Sequence, residues 1–71
     1  MSRKRSFASA LFAARTERRM TQEQVSEMFN ISTRWYQKVE KGESKPNFDL
    51  TCKIAKKFEL NIADFAEEII A

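Results

Sequence analysis

Seventy-one residues with 13 Lys/Arg, 10 Asp/Glu, a net charge of +3, one Cys and no His make at most one small domain, which buries only about 60% of the surface its unfolded chain exposes. The lone Cys52 excludes an intrachain disulfide, and without His a zinc site would need one thiol and carboxylates, a poor ligand set. The same absence removes the ordinary general base near neutrality and the Ser-His or Cys-His nucleophile pair, so no enzyme activity, metal or cofactor is expected.

Met1 to Arg5 has the basic character of a signal-peptide start. The apolar stretch behind it is interrupted by Ser9 and ends at Arg15, too short for a leader or for the ~18–20 residues of a membrane span. A cytoplasmic chain with a reduced thiol is expected. Residues 1–6 read as a basic arm carrying Arg3, Lys4 and Arg5, either following phosphates or simply a solubilising terminus; residues 7–71 read as the domain.

A first helix is predicted from Phe7 to about Arg18, with Ser6 as N-cap and Phe7, Ala8, Leu11, Phe12 and Arg15 on one face. Thr21 caps a second, Gln22 to Phe29, with Gln24 three residues on to complete a capping box. Its inward residues are Val25, Met28 and Phe29. Asn30 ends it in a left-handed conformation, and only Ile31 separates that residue from Ser32, the next N-cap. Two helices joined by so short a turn, apolar on both sides, form a helix-turn-helix arrangement. The third helix, Thr33 to Lys41, buries Tyr36 and Val39, exposes Thr33, Arg34, Gln37 and Lys38, and is closed by Gly42 as a left-handed cap. Asn47 caps a fourth, Phe48 to Phe58, whose core stripe is Phe48, Thr51, Cys52, Ala55 and Phe58. Asn61 caps a fifth, Ile62 to about Ile69, with Ile62, Phe65 and Ile69 inward. The fold class is therefore all-α, five short helices around one core, with Cys52 a buried small hydrophobe.

Charge is uneven along this order. Residues 1–41 hold nine Lys/Arg against four Glu, and residues 42–71 four Lys against six Asp/Glu, an asymmetry that suits a polyanionic partner for the first half.

At this point Met20-Thr21-Gln22-Glu23-Gln24-Val25 resembles the "LTQEELA" start of helix 2 in the lambda-repressor-like, or Xre-type, helix-turn-helix family. Ile31 to Gly42, ISTRWYQKVEKG, resembles its "VSxxxIxxxExG" recognition helix and turn. Lys45-Pro46-Asn47-Phe48 and Lys53-Ile54-Ala55-Lys56-Lys57-Phe58 resemble its "KPsl…kIAkaL" tail. These motifs stand in register over roughly residues 10–66. The resemblance implies double-stranded DNA as partner, with Thr33, Arg34 and Lys38 at base edges in the major groove. Arg34 suits a bidentate pair with guanine, and Thr33 a thymine methyl or a donated hydrogen bond. It places Gln22, Ser32, Lys41 and Lys45 on phosphates. Trp35 is either packed on the sugar-phosphate backbone or a plug against helix 2 or the loop. Arg15 and Glu40 are expected to form a partly buried ion pair pinning helix 3 to helix 1. Three residues depart from the family pattern: Ser26 for a small Ala, Asn30 for the turn Gly, and Tyr36 for an aliphatic residue, the last needing a partner for its hydroxyl.

Leu50, Ile54, Ile69 and Ile70 are less easily absorbed by one small core and are expected at a homodimer surface, the alternative being a monomer with scattered surface apolars; a dimer would set two recognition helices about 34 Å apart on a pseudo-palindromic site. The function expected is a DNA-binding transcriptional regulator, for example a repressor. The alternative is a protein-interaction module such as an antitoxin subunit that covers a protein partner with the same fold.

Overall fold

The first four helices each begin on a side chain that can replace a missing backbone partner. In the computed structural model, which describes residues 6–70, α1 spans Phe7–Glu17, α2 Gln22–Met28, α3 Thr33–Glu40 and α4 Phe48–Phe58; a 3-10 turn, Ile62–Phe65, runs on into α5, Ala66–Ile70. The arm residues Arg3, Lys4 and Arg5 and the side chain of Ile70 lie outside the described residues. Ser6, Thr21, Ser32 and Asn47 accept from the N–H groups of Ser9, Gln24, Trp35 and Leu50. Gln24 returns the bond to the Thr21 N–H at 2.8 Å, completing the capping box. Asn61 reaches Ala63, one residue nearer than usual, and the turn that follows is accordingly 3-10 rather than the continuous α-helix expected.

The helix ends share a second device. At Arg19, Asn30, Gly42 and Glu59 the chain turns left-handed, with φ of 55°, 57°, 80° and 58°. Behind each, the next N–H bonds five residues back: Met20 to Arg15, Ile31 to Ser26, Glu43 to Lys38 and Leu60 to Ala55. This is the Schellman closure, which satisfies carbonyls that the helix leaves without partners. Asn30 and Gly42 were expected to turn so; Arg19 and Glu59 were not. In three of the four, the residue after the left-handed one is apolar and packs on the core (Met20, Ile31, Leu60), and the residue after that is the next N-cap.

The core gathers Phe7, Ala10, Leu11 and Ala14 of α1, Val25 of α2, Tyr36 and Val39 of α3, Ile54 and Phe58 of α4, and Phe65. The α1 face differs from the one expected, since Ala10 and Ala14 are buried and Phe12 is 51% exposed. Alanines on both sides of the stripe make the helical period ambiguous, and small residues are the ones that let neighbouring helices approach. On α4 the buried row is Thr51, Ile54, Ala55 and Phe58, while Phe48, in the first turn, is 62% exposed and Cys52 is half-buried. Ile54 therefore corrects the expected dimer surface: it is wholly buried in the core and offers nothing to a second copy. Met28, the last residue of α2, is exposed as well. Leu50 and Ile69 are half-buried and packed on the core. Among the described residues no helix is long and apolar enough to cross a membrane.

Candidate nucleic-acid interface

The helix α3 lies across α1 and α2, and its inner side is fastened to both by polar groups. Arg15 Nε donates to Glu40 Oε2 at 2.6 Å and Nη2 to Oε1 at 3.0 Å. Its Nη1 donates to the Met20 carbonyl at 2.8 Å. The Tyr36 hydroxyl donates to the same Oε2, which supplies the partner that its departure from the family pattern required. Gln22 Nε2 donates to Oε1 at 3.0 Å. With four donated bonds the carboxylate has filled its acceptor sites, and the side chains of the pair are only 11% and 4% exposed. The ion pair of Arg15 and Glu40 is thus present, at the centre of a satisfied network.

Its electrostatics follow from that geometry. Burial alone would raise the Glu40 carboxyl above its ordinary 4.5, but hydrogen bonds from Arg15, Tyr36 and Gln22 outweigh the burial and hold it lower. Hydrogen bonding to Glu40 raises Arg15 further. Burial first, and then the bond to Glu40, push the Tyr36 phenol far above 10.0. At neutral pH the network is one cation, one anion and a neutral phenol.

A hydroxyl pair closes α2 on α3. Ser26 Oγ donates to the Glu23 carbonyl at 2.9 Å, so its single proton is engaged, and the 2.8 Å contact with Thr33 Oγ1 is donated by Thr33. Of the two contacts expected for Thr33, donation to a base is therefore the one the free chain has already used; its methyl remains.

The outward side of α3 is cationic. Arg34, Lys38 and Lys41 are exposed, and among the described residues none of the three has a carboxylate within salt-bridge distance. Ser32 is exposed and accepts from Trp35 N–H, so its hydroxyl proton remains available. Trp35 is half-buried and packed on the core. Its indole N–H is not buried without a partner, so it can still be reached from outside. Lys45 is turned elsewhere: its Nζ donates to the Glu68 carbonyl at 2.8 Å, in the middle of α5. The Gln22 side chain is held inside the molecule, between Glu40 and Gln37, which leaves the first-turn N–H groups of α2 as that helix's natural contact with an anion. Gln37 was read only as exposed. Its place one turn beyond Thr33 and Arg34 was the available signal.

Among the described residues no group of carboxylates and thiol could hold a metal ion. A protein-family model described as helix-turn-helix matches residues 11–65. Comparison with curated proteins and with solved structures found no match.

Proposed function

The chain belongs to the lambda-repressor-like, Xre-type helix-turn-helix family of DNA-binding regulators, and we propose that within it the protein is a sequence-specific repressor binding a pseudo-palindromic operator as a homodimer. The observation that carries this reading is the two-sided character of α3: three exposed cations outside with no carboxylate partner among the described residues, a saturated hydrogen-bond network inside. An α-helix fits the major groove of B-DNA, where Arg can pair bidentately with guanine O6 and N7. In this reading Arg34 and Lys38 read base edges and Thr33 meets a thymine methyl. Ser32, Lys41 and the Trp35 indole N–H position the backbone. Lys45 would join them only by leaving Glu68, and Gln22 only by leaving Glu40 or Gln37.

The second copy docks through the C-terminal half, where Leu50 and Ile69 are partly exposed and Phe48 largely so. Ile70 belongs to this surface in the sequence-based expectation. Repression follows from occupancy of the operator, in the cytoplasm.

Selection of the purified protein on a random duplex library at about 150 mM salt, near physiological ionic strength, should enrich an inverted repeat with half-sites one helical turn apart. Arg34→Glu combined with Lys38→Glu should abolish the enrichment and leave the circular dichroism spectrum unchanged. Enrichment of no sequence by the wild-type protein would overturn the reading.

A further inference from the structure

One cation close to the end of α3 is held away from the outward side of that helix. The connection from Lys41 to Asn47 doubles back on α3, since the N–H groups of Glu43 and Ser44 both donate to the Lys38 carbonyl, at 2.9 and 3.3 Å. Lys45 follows directly. Its backbone therefore starts beside Lys38, within the sweep of a flexible lysine stem. The side chain nevertheless runs the other way. It lines a small cleft with Phe7, Pro46, Phe48 and Ile69 and donates to the Glu68 carbonyl at 2.8 Å.

The acceptor belongs to an element that depends on such contacts. The helix α5 has five residues, Ala66–Ile70, and so short a helix has little stability of its own in water. It is held from outside. Phe65, just before it, meets Phe7 edge to face at 5.5 Å, and the Glu68 carboxylate accepts from the Phe7 N–H through both oxygens, at 3.1 and 2.9 Å. That N–H is one of the donors the start of α1 leaves without an intrahelical partner, and the Glu68 carbonyl is one of the acceptors the end of α5 leaves so. Glu68 thus joins three pieces of chain. Its side chain ties α5 to α1, and its main chain keeps the Lys45 ammonium in the cleft. A phosphate oxygen carries charge and is the stronger acceptor for an ammonium, but Lys45 reaches one only by leaving α5.

We infer that α5 is an autoinhibitory element of the DNA-binding face: through the Glu68 carbonyl it withholds Lys45 from a DNA phosphate, and its release adds that contact. This rests on the DNA-binding reading above and adds a control to it. The second copy in that reading docks on the same side of the molecule, at Phe48 and Ile69, so pairing bears directly on α5.

The test is a double-mutant cycle read by DNA affinity. Wild type, Lys45→Met, Glu68→Ala and the double variant are titrated over a range of salt with the duplex that wild type enriches. Glu68→Ala removes the carboxylate that ties α5 to Phe7. It also removes a negative charge, which acts on DNA in either background. With Lys45 present it should therefore tighten binding by at least about twofold more than in the Lys45→Met background. It should also steepen the fall of log affinity with log salt by about 0.9 more, as one added phosphate contact does. An equal effect in both backgrounds overturns the inference. So does a loss of affinity that requires Lys45, because α5 would then present the lysine to DNA. In both cases the operator reading stands; if wild type enriches no duplex, both fall. Circular dichroism checks that each variant is folded. Should Glu68→Ala fail to fold, Glu68→Gln takes its place, since its amide oxygen still accepts from the Phe7 N–H without the charge or the second oxygen.

Discussion

The junction of α1, α2 and α3 and the far side of the molecule, where α4 and α5 close over Phe7, are held by different physics. At the junction the contacts are directional and charge-assisted: Arg15, Glu40, Tyr36 and Gln22 around one carboxylate. On the far side Phe7 and Phe65 meet edge to face at 5.5 Å, and Ile54 is wholly enclosed. The polar contacts there bind ends rather than faces. Glu68 accepts from the Phe7 N–H through both oxygens, and Lys45 donates to the Glu68 carbonyl. Apolar burial is non-directional and scales with area, so it supplies cohesion without selecting an angle. Hydrogen bonds to a carboxylate select one. The difference places angular control under the helix that carries the cationic face and leaves cohesion to the rest.

Arg15→Ala should have the largest effect, because it strands the Glu40 carboxylate in a buried site. Urea unfolding should show a loss of ~3–5 kcal/mol, whereas Arg15→Met with Glu40→Gln should recover part of it, since no charge is then stranded and the amide oxygen can still accept from Tyr36. Equal losses in the single and double variants would mean that the pair is not the centre of the junction. Ile54→Ala breaks the other side, at a cost of about 2–5 kcal/mol for a large-to-small core change. The folded fraction of that variant should bind DNA with unchanged base preferences. A change in preference would show that cohesion and angle are not separable.

A third effect is graded and appears only away from neutrality. The folded-state carboxyl of Glu40 is depressed, so its contribution is complete above the ordinary value of 4.5 and is lost as pH falls below it. The phenol of Tyr36 is raised, so its contribution is complete below 10.0 and is lost as pH rises beyond it. Stability measured against pH should show a plateau between these limits, and Glu40→Gln should flatten the acid limb, though at lower overall stability. An unchanged acid limb in that variant would assign acid unfolding to other carboxylates.

The starts of α1 to α4 and of the 3-10 turn were legible in the sequence, because N-caps are local chemistry: Ser6, Thr21, Ser32, Asn47 and Asn61 each serve a turn a few residues away; the start of α5 at Ala66 has no such signal. Which face turns inward was less so. Phe12 and Phe48 sit on apolar stripes that extend past the core, and Ile54 was assigned to the surface because a stripe through Cys52 fits the same period. The pairing of Arg15 with Glu40 came from family resemblance, since 25 residues of chain separate the two. That Tyr36 needed a hydroxyl partner could be said in advance; that Glu40 provides it depends on how the carboxylate is already engaged. The link between Gln22 and Gln37 had no sequence signal beyond helical spacing, because it exists only once α2 and α3 are packed. The left-handed turns at Arg19 and Glu59 were missed because neither is Gly or Asn. The signal that would have found them is the triplet each begins, in which an apolar residue and an N-cap follow.

That triplet has a consequence for how the chain tolerates changes in length. In Arg19-Met20-Thr21, Asn30-Ile31-Ser32 and Glu59-Leu60-Asn61, one residue ends a helix, the next packs on the core and the third starts another helix, with nothing between. An inserted or deleted residue at any of the three would remove a Schellman closure, an anchor or a cap, and would rotate the following helix about its axis. The connection from Lys41 to Asn47 is different, since several residues follow its left-handed Gly42 before the next cap. Insertions and deletions are expected to be accommodated there, and the three corners to keep their length in any functional variant of the chain.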